Sequence, residues 1–94
     1  MKVFTDLEFK EHGCVEGARE AVSKGIDMGE YLNAKQAVIE FKNGRVLSVI
    51  FGVVFYSNGI DTYECMEMGR SDNQPKGYLT KDEVTEYMKE LQND

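Results

Sequence analysis

An α+β fold with an antiparallel β-sheet of about four strands is the class that this 94-residue sequence predicts. Three observations lead to it. An Asn-Gly turn joins two β-rich runs, a Ser-Asn-Gly turn precedes a third strand, and the last stretch has the capping and spacing of an amphipathic helix. We expect one domain, residues 1–94, in which the C-terminal helix and a helical insert pack mainly on one face of the sheet.

The N-terminal third of the chain predicts a strand followed by the helical insert. Residues 3–9 alternate in the manner of a half-buried strand. Residues 14–35 have helical spacing, in one or two pieces. Gly25 is placed as the residue that ends the first piece, and Asp27 with Glu30 is placed as a capping box that begins the second.

The clearest turn signal is Asn43-Gly44, which stands between "AVIEF" and "VLSVIF". A two-residue type I′ turn requires positive φ at both positions, and Asn-Gly adopts it readily. Both faces of the resulting hairpin carry apolar groups, which favours a central position in the sheet. The cross-strand pairs expected for this turn are Phe41 with Val46, Ile39 with Ser48, and Ala37 with Ile50.

The apolar run at residues 45–59 could serve a membrane, a core or a partner. It is too short for a membrane helix, which needs roughly twenty apolar residues. We interpret it as the central strand, bent at Gly52 and ended by the turn at residues 57–59. Residues 60–68 then predict the third strand of a meander.

The C-terminal region predicts one loop and one helix. Residues 69–77 contain the only proline, and they read as a loop between sheet and helix. Thr80 is the expected N-cap of the helix, with Glu83 as its capping-box partner. The stripe that should face the sheet consists of Val84, Tyr87, Met88 and Leu91.

Charge and cysteine content restrict the partners and the compartment. The net charge of −6 disfavours direct binding to nucleic acid or to an anionic membrane, and it permits a basic protein partner. The N-terminus has acidic residues where a secretory signal would be apolar. Two cysteines are too few for a disulfide scaffold, so a reducing cytoplasm is the expected compartment, with a Cys14–Cys65 bridge as an open alternative.

No catalytic or cofactor motif is present in the sequence. A phosphate-binding loop, a dinucleotide fingerprint and a serine nucleophile elbow are all missing. His12 and Cys14 could form a nucleophilic pair, or they could be a turn histidine beside a small thiol. A zinc site would need both of these with Cys65 and a carboxylate, without the usual paired C-x-x-C spacing. We therefore expect no enzyme, no metal and no cofactor.

Candidate partner-binding residues come from the loop and from exposed polar positions around it. The loop supplies charges of both signs on a rigid scaffold, and the full set is Arg70, Asp72, Lys76, Glu64, Glu67 and Tyr56. Methionines could add an adaptable binding surface, although core packing is the simpler explanation for Met66, Met68 and Met88. Four helix carboxylates could mimic a nucleic acid or simply form a solvated face: Asp82, Glu83, Glu86 and Glu90.

Parts of the chain resemble small proteins encoded by bacteriophages and prophages. The resemblance rests on "FKNGRVLSVIFG", then "YS" and "TYE", then "GYLTKDEV", and on "DLEFK" near the start. It covers residues 5–10 and 41–91, whereas residues 14–35 depart from the pattern. It implies a phage accessory protein that acts in the cytoplasm of a bacterial host, in a class that often inhibits CRISPR and other defence machinery.

Three functional hypotheses follow. The leading one is a non-enzymatic phage-type protein that binds and inhibits a host protein or nucleoprotein complex. The alternative is a small-molecule or nucleotide-binding protein that sequesters its ligand in a pocket. The third is an enzyme that uses Cys14 with His12. A homodimer formed across residues 45–56 is a further alternative for covering the second apolar face of the sheet.

Overall fold

Five antiparallel strands form one open sheet in sequence order in the computed structural model, which describes residues 1–69 and 74–93. The strands are β1 (Lys10–Glu11), β2 (Lys35–Glu40), β3 (Val46–Phe51), β4 (Tyr63–Met68) and β5 (Lys76–Leu79). The helices are α1 (Cys14–Ser23) and α2 (Lys81–Gln92), with two 3-10 helices at Phe4–Asp6 and Gly29–Asn33. The α+β class is confirmed, with one strand more than expected and β3 at the centre of the sheet.

The β2–β3 hairpin has a three-residue loop rather than a two-residue one. The Gly44 N–H donates to the Phe41 carbonyl at 2.9 Å, and the Phe41 N–H donates to the Arg45 carbonyl at 2.8 Å. Gly44 takes a φ of 85°, as a type I turn with a G1 bulge requires. The predicted pairing was therefore wrong by one residue, and the observed pairs include Ala37 with Val49 and Ile39 with Leu47.

One face of the sheet is covered by α2 and by the N-terminal segment. The predicted helical stripe is confirmed, because Val84, Met88 and Leu91 are buried against the sheet and Tyr87 is half-buried. The strand residues of this core are Phe41, Leu47, Val49, Tyr63 and Cys65. We call this side the helix-covered face.

The N-terminal segment forms a 3-10 helix, so the strand predicted at residues 3–9 was wrong. The Asp6 carboxylate accepts from the Val3 N–H at 2.8 Å, a local bond that competes with strand pairing. The predicted alternation put Phe4 opposite Leu7 and Phe9, yet all three pack on the core. Further bonds tie the segment to α2: the Phe4 N–H donates to Thr85 Oγ1, and Lys2 and Gln92 exchange two hydrogen bonds.

The insert consists of α1 and the second 3-10 helix, which pack against each other. Gly25 follows the end of α1 with a φ of 82°, as predicted. The capping box at Asp27 was wrong, since the N-cap of the 3-10 helix is Met28 and its side chain makes no capping bond. The Met28 N–H donates to the Ile26 carbonyl, which places Asp27 in a three-residue turn before the helix.

The two ends of the predicted meander also differ from expectation. β3 stops at Phe51 instead of continuing to residue 59, because Gly52 takes a φ of 146° against Ala34. A Cβ at Gly52 would lie 3.4 Å from the Ala34 Cα, so the chain passes close to Ala34 at this point. Strand β5 begins inside the predicted loop. It pairs with β4 through a bulge, and neither Gly77 nor the preceding proline signals a strand.

The capping box of α2 gives a direct test of the fold. Thr80 Oγ1 accepts from the Glu83 N–H, and the Glu83 carboxylate accepts from the Thr80 N–H at 3.0 Å. We predict that Thr80→Ala lowers the free energy of unfolding by about 1 kcal/mol in urea denaturation. Thr5→Ala, at an exposed threonine, should change it by less than about 0.5 kcal/mol. Equal effects of the two substitutions would contradict the capping role.

Candidate protein-binding surface

The side of the sheet opposite α2 carries an apolar surface that we call the open face. Strand register places its residues in three rows across β2, β3 and β4. The rows are Gln36, Ile50 and Glu64; Val38, Ser48 and Met66; and Glu40, Val46 and Met68. No helix packs across these rows in the part of the chain that the structure describes.

Several side chains of the open face are both apolar and exposed to solvent. Val38 is 55% exposed, Met66 39% and Met68 42%. At the centre, Ser48 is only 3% exposed, and its hydroxyl accepts from Gln36 Nε2 at 2.9 Å. The open face therefore has one hydrogen-bonded hydroxyl at its centre, and the apolar side chains around it are exposed to solvent. Binding surfaces commonly have this arrangement.

One end of this side of the sheet is covered by neighbouring segments of the chain. Ala34 and Gly52 continue the alternation of the open face beyond its first row, and both are buried. Phe55 packs beside Gly52, and its ring lies 4.9 Å from the His12 ring. Ala34 and Phe55 thus cover this end, and no described helix packs across the rows that follow along the strands.

Two exposed tyrosines adjoin the first row of the open face. Tyr56 and Tyr78 have ring centroids 6.3 Å apart, and the Tyr78 N–H donates to the Tyr56 carbonyl at 2.9 Å. Tyr78 takes a φ of 56°, an uncommon conformation for a bulky residue. It lies in the β5 bulge opposite Glu64. Exposed tyrosines held in this way are typical anchors of protein interfaces.

The loop at residues 52–62 holds its shape by internal hydrogen bonds. Ser57 Oγ accepts from the N–H groups of Gly52 and Gly59 and donates to the Thr62 carbonyl. Asn58 Oδ1 accepts from three successive N–H groups, those of residues 60–62. Ile60 stands at the tip and is 80% exposed. An apolar side chain on so well-bonded a loop can enter a partner with little loss of backbone entropy.

The four predicted partner-binding residues that the structure describes do not lie together on one surface. Arg70 and Asp72 lie outside the described residues. Glu64 is a half-buried member of the open face, and Tyr56 is exposed against the β5 bulge that lies opposite Glu64. Lys76 is exposed on the other side, with its ammonium 4.2 Å from the Tyr87 ring centroid. The structure brings only two of the predicted positions, Glu64 and Tyr56, to the apolar surface.

Glu67 lies inside the molecule instead of on its surface. It belongs to the helix-covered face and is 4% exposed. Arg45 binds it through two hydrogen bonds, Nε to Oε2 at 2.8 Å and Nη2 to Oε1 at 2.6 Å. A bidentate pair at the edge of a core fixes orientation and satisfies both charges. The structure therefore gives Glu67 an internal role.

The sequence left two interpretations open for the methionines, core packing and an exposed binding surface, and the structure contains examples of both positions. Met88 is fully buried in the core, whereas Met66 and Met68 are exposed on the open face. Val38 was missed because the expected two-residue turn pairs it with Val49, a core residue, whereas the structure pairs it with Ser48 on the open face. Tyr78 and Ile60 were missed because no local signal marks a strained bulge or a bonded loop tip.

The contact between His12 and Cys14 joins the imidazole to a backbone N–H and does not involve the thiol. The Cys14 N–H donates to His12 Nδ1 at 3.1 Å, so this nitrogen already has a donor other than the thiol. Cys14 and Cys65 are both free thiols. Within residues 1–69 and 74–93, no three histidine, cysteine, aspartate or glutamate side chains are grouped so that they could hold a metal ion.

Comparisons add no relative to this picture. Searches of the chain against family models, curated proteins and solved structures find no match. Among the described residues, no helix has both the length and the apolar character to cross a bilayer.

Thiol chemistry distinguishes the two cysteines. Burial raises the pKa of the Cys65 thiol to about 12, with a smaller contribution from Glu64. We predict that a disulfide exchange reagent at pH 8 modifies the half-buried Cys14 in the native protein and leaves Cys65 unmodified, because thiolate is the reactive form. Mass spectrometry would identify the modified residue. Modification of Cys65 as fast as Cys14 would contradict its burial.

The raised pKa of the Cys65 thiol predicts a loss of stability at alkaline pH. In the unfolded chain the Cys65 thiol ionises near its ordinary pKa of 9.0, and in the folded chain near 12. The contribution of this thiol to the free energy of unfolding is therefore present in full below pH 9. It is lost between pH 9 and 12, by at most about 1.4 kcal/mol per pH unit. Burial also raises the pKa of Tyr63 and Tyr87. Urea denaturation of Cys65→Val should show a shallower decline than the wild-type chain.

Proposed function

We propose that this protein is a non-enzymatic binding module that docks a host protein or nucleoprotein complex on its open face and inhibits it. One observation carries the proposal: Val38, Met66 and Met68 remain exposed on a sheet face over which no described helix packs. Solvated apolar side chains clustered on a sheet lose water when a partner covers them, which supplies the favourable free energy of binding.

The charges around the open face favour a partner with basic flanks. Glu40 and Glu64 lie at opposite corners of the three rows, and Lys10 of β1 adjoins Gln36 at a third corner. The whole chain carries a net charge of −6. A contact surface with an apolar centre and lysine or arginine at its rim matches this pattern, and the opposite charges would accelerate association.

The phage setting and the inhibitory role are supported by the resemblance of residues 41–91 to phage and prophage proteins. That resemblance includes β3 and β4, which supply two of the three strands of the open face. In this proposal the protein acts in the cytoplasm of a bacterial host, and CRISPR and other defence complexes are the leading class of target. Its partner is a protein surface, and bound nucleic acid in the target makes no contact with the open face.

A cleft of about 530 Å³ offers the alternative, small-molecule function less support. It lies between the N-terminus and the β2–β3 turn, and Lys2, Lys42 and Gln92 contribute to its lining. The Gln92 side chain is already bonded to Lys2 and to the Met88 carbonyl. Both N–H groups of Gln92 Nε2 are therefore used within the chain, so this side chain offers a ligand no free donor.

The test compares capture of host proteins by an open-face variant and a control variant. The open-face variant combines Val38→Gln, Met66→Gln and Met68→Gln. The control combines Val22→Gln and Ile26→Gln, at exposed apolar residues of α1 and the turn after it. We expect one host protein to bind the wild-type chain and the control, and to bind the open-face variant at least about tenfold more weakly. Quantitative mass spectrometry of the captured proteins measures this ratio.

Two further measurements make the result decisive. Urea denaturation should show that the open-face variant is as stable as the wild-type chain within about 1 kcal/mol, since the changed side chains are exposed. Light scattering over a range of concentrations tests the homodimer. A wild-type dimer that becomes a monomer in the open-face variant would show that a second copy occupies the face, and equal capture by all chains would refute the proposal.

A further inference from the structure

A second surface lies on the other side of the molecule, in a groove between α2 and β5. Its volume is about 350 Å³. Leu79 and Tyr87 form its apolar floor, and both also contact the hydrophobic core. The groove is separate from the open face, because α2 covers the opposite side of the sheet. It therefore needs its own explanation.

The rim of the groove is acidic along its whole length. Its carboxylates come from one side of α2 and are Asp82, Glu83, Glu86 and Glu90. Thr80 holds Glu83 in the capping box, and Lys89 lies 3.6 Å from Glu86 as an exposed ion pair. Both arrangements leave the carboxylates close to solvent, and such exposed pairs exchange partners at little cost.

A cation already rests on the floor of the groove. The Lys76 ammonium lies 4.2 Å from the centroid of the Tyr87 ring, within range of a cation–π interaction. This is an intramolecular example of the contact that a basic ligand would make there. The groove thus combines an aromatic floor that accepts a cation with a rim whose charge attracts one.

We propose that this groove binds a basic peptide segment of a protein, in which lysine or arginine side chains alternate with apolar ones. The apolar side chains cover Leu79 and Tyr87, and the cations meet the carboxylates of α2. Nucleic acid is repelled by the same rim. A segment that is only basic would leave the apolar floor wet, and one that is only apolar would bury the rim without compensation.

The experiment uses defined peptides and the intact chain. The probe is a fluorescein-labelled peptide of alternating lysine and leucine, and the comparison probe alternates lysine and serine. We expect fluorescence anisotropy to show tighter binding of the lysine–leucine peptide. Glu86→Gln with Glu90→Gln should weaken it by about tenfold, since two exposed ion pairs are lost. The matched control is Glu16→Gln with Glu20→Gln, which makes the same change on α1 and should leave the affinity unchanged.

Lys76 provides an independent test, because its removal should raise the affinity for the peptide instead of lowering it. Lys76→Ala frees the Tyr87 ring and removes a competing cation, so the affinity for the lysine–leucine peptide should rise by about threefold. Lys42→Ala makes the same change of net charge at the β2–β3 turn and should have no such effect. Equal losses in the α1 and α2 variants, equal gains in the two lysine variants, or equal binding of the two peptides would overturn the proposal.

Discussion

One strand register determines how every face of this molecule is used. Ala37 lies opposite Val49, and Val49 lies opposite Cys65, so these three residues and their alternate neighbours point at α2. The intervening residues must then point away. Because side chains alternate with a period of two, a shift of one residue would bury Val38 and Met66 and expose the present core. The register that buries the core residues therefore also leaves the apolar rows of the open face exposed.

Local signals explain why some elements could be predicted from the sequence. The cap of α2, its buried stripe and the glycine after α1 depend on residues a few positions apart, and all are as expected. The hairpin was predicted, but its register was not. The Asn43 side chain donates to the Leu91 carbonyl, at the far end of the chain, and its oxygen accepts from the Arg45 N–H. The N-terminal 3-10 helix likewise depends on α2, which local alternation cannot reveal.

The candidate surfaces were less predictable, because exposure is a property of packing. The sequence showed that both faces of the central strands are apolar, and only the structure shows which face α2 covers. Glu67 illustrates the difficulty. Its alternation with Tyr63 and Cys65 places it on the core side, yet its partner Arg45 becomes adjacent only through the β3–β4 pairing. A charged residue in a strand predicts an exposed position, whereas Glu67 is one half of an internal ion pair.

The reciprocal bonds between Lys2 and Gln92 have a consequence for the order in which the chain folds. The two residues stand 90 positions apart, and the Phe4 N–H also depends on Thr85. During synthesis the segment at residues 2–4 therefore has no partner for these groups until residues 85–92 have left the ribosome. The hairpin can form early from local contacts, whereas closure of the N-terminal segment waits for α2. Docking of α2 is thus the step that fixes the N-terminal segment and the helix together.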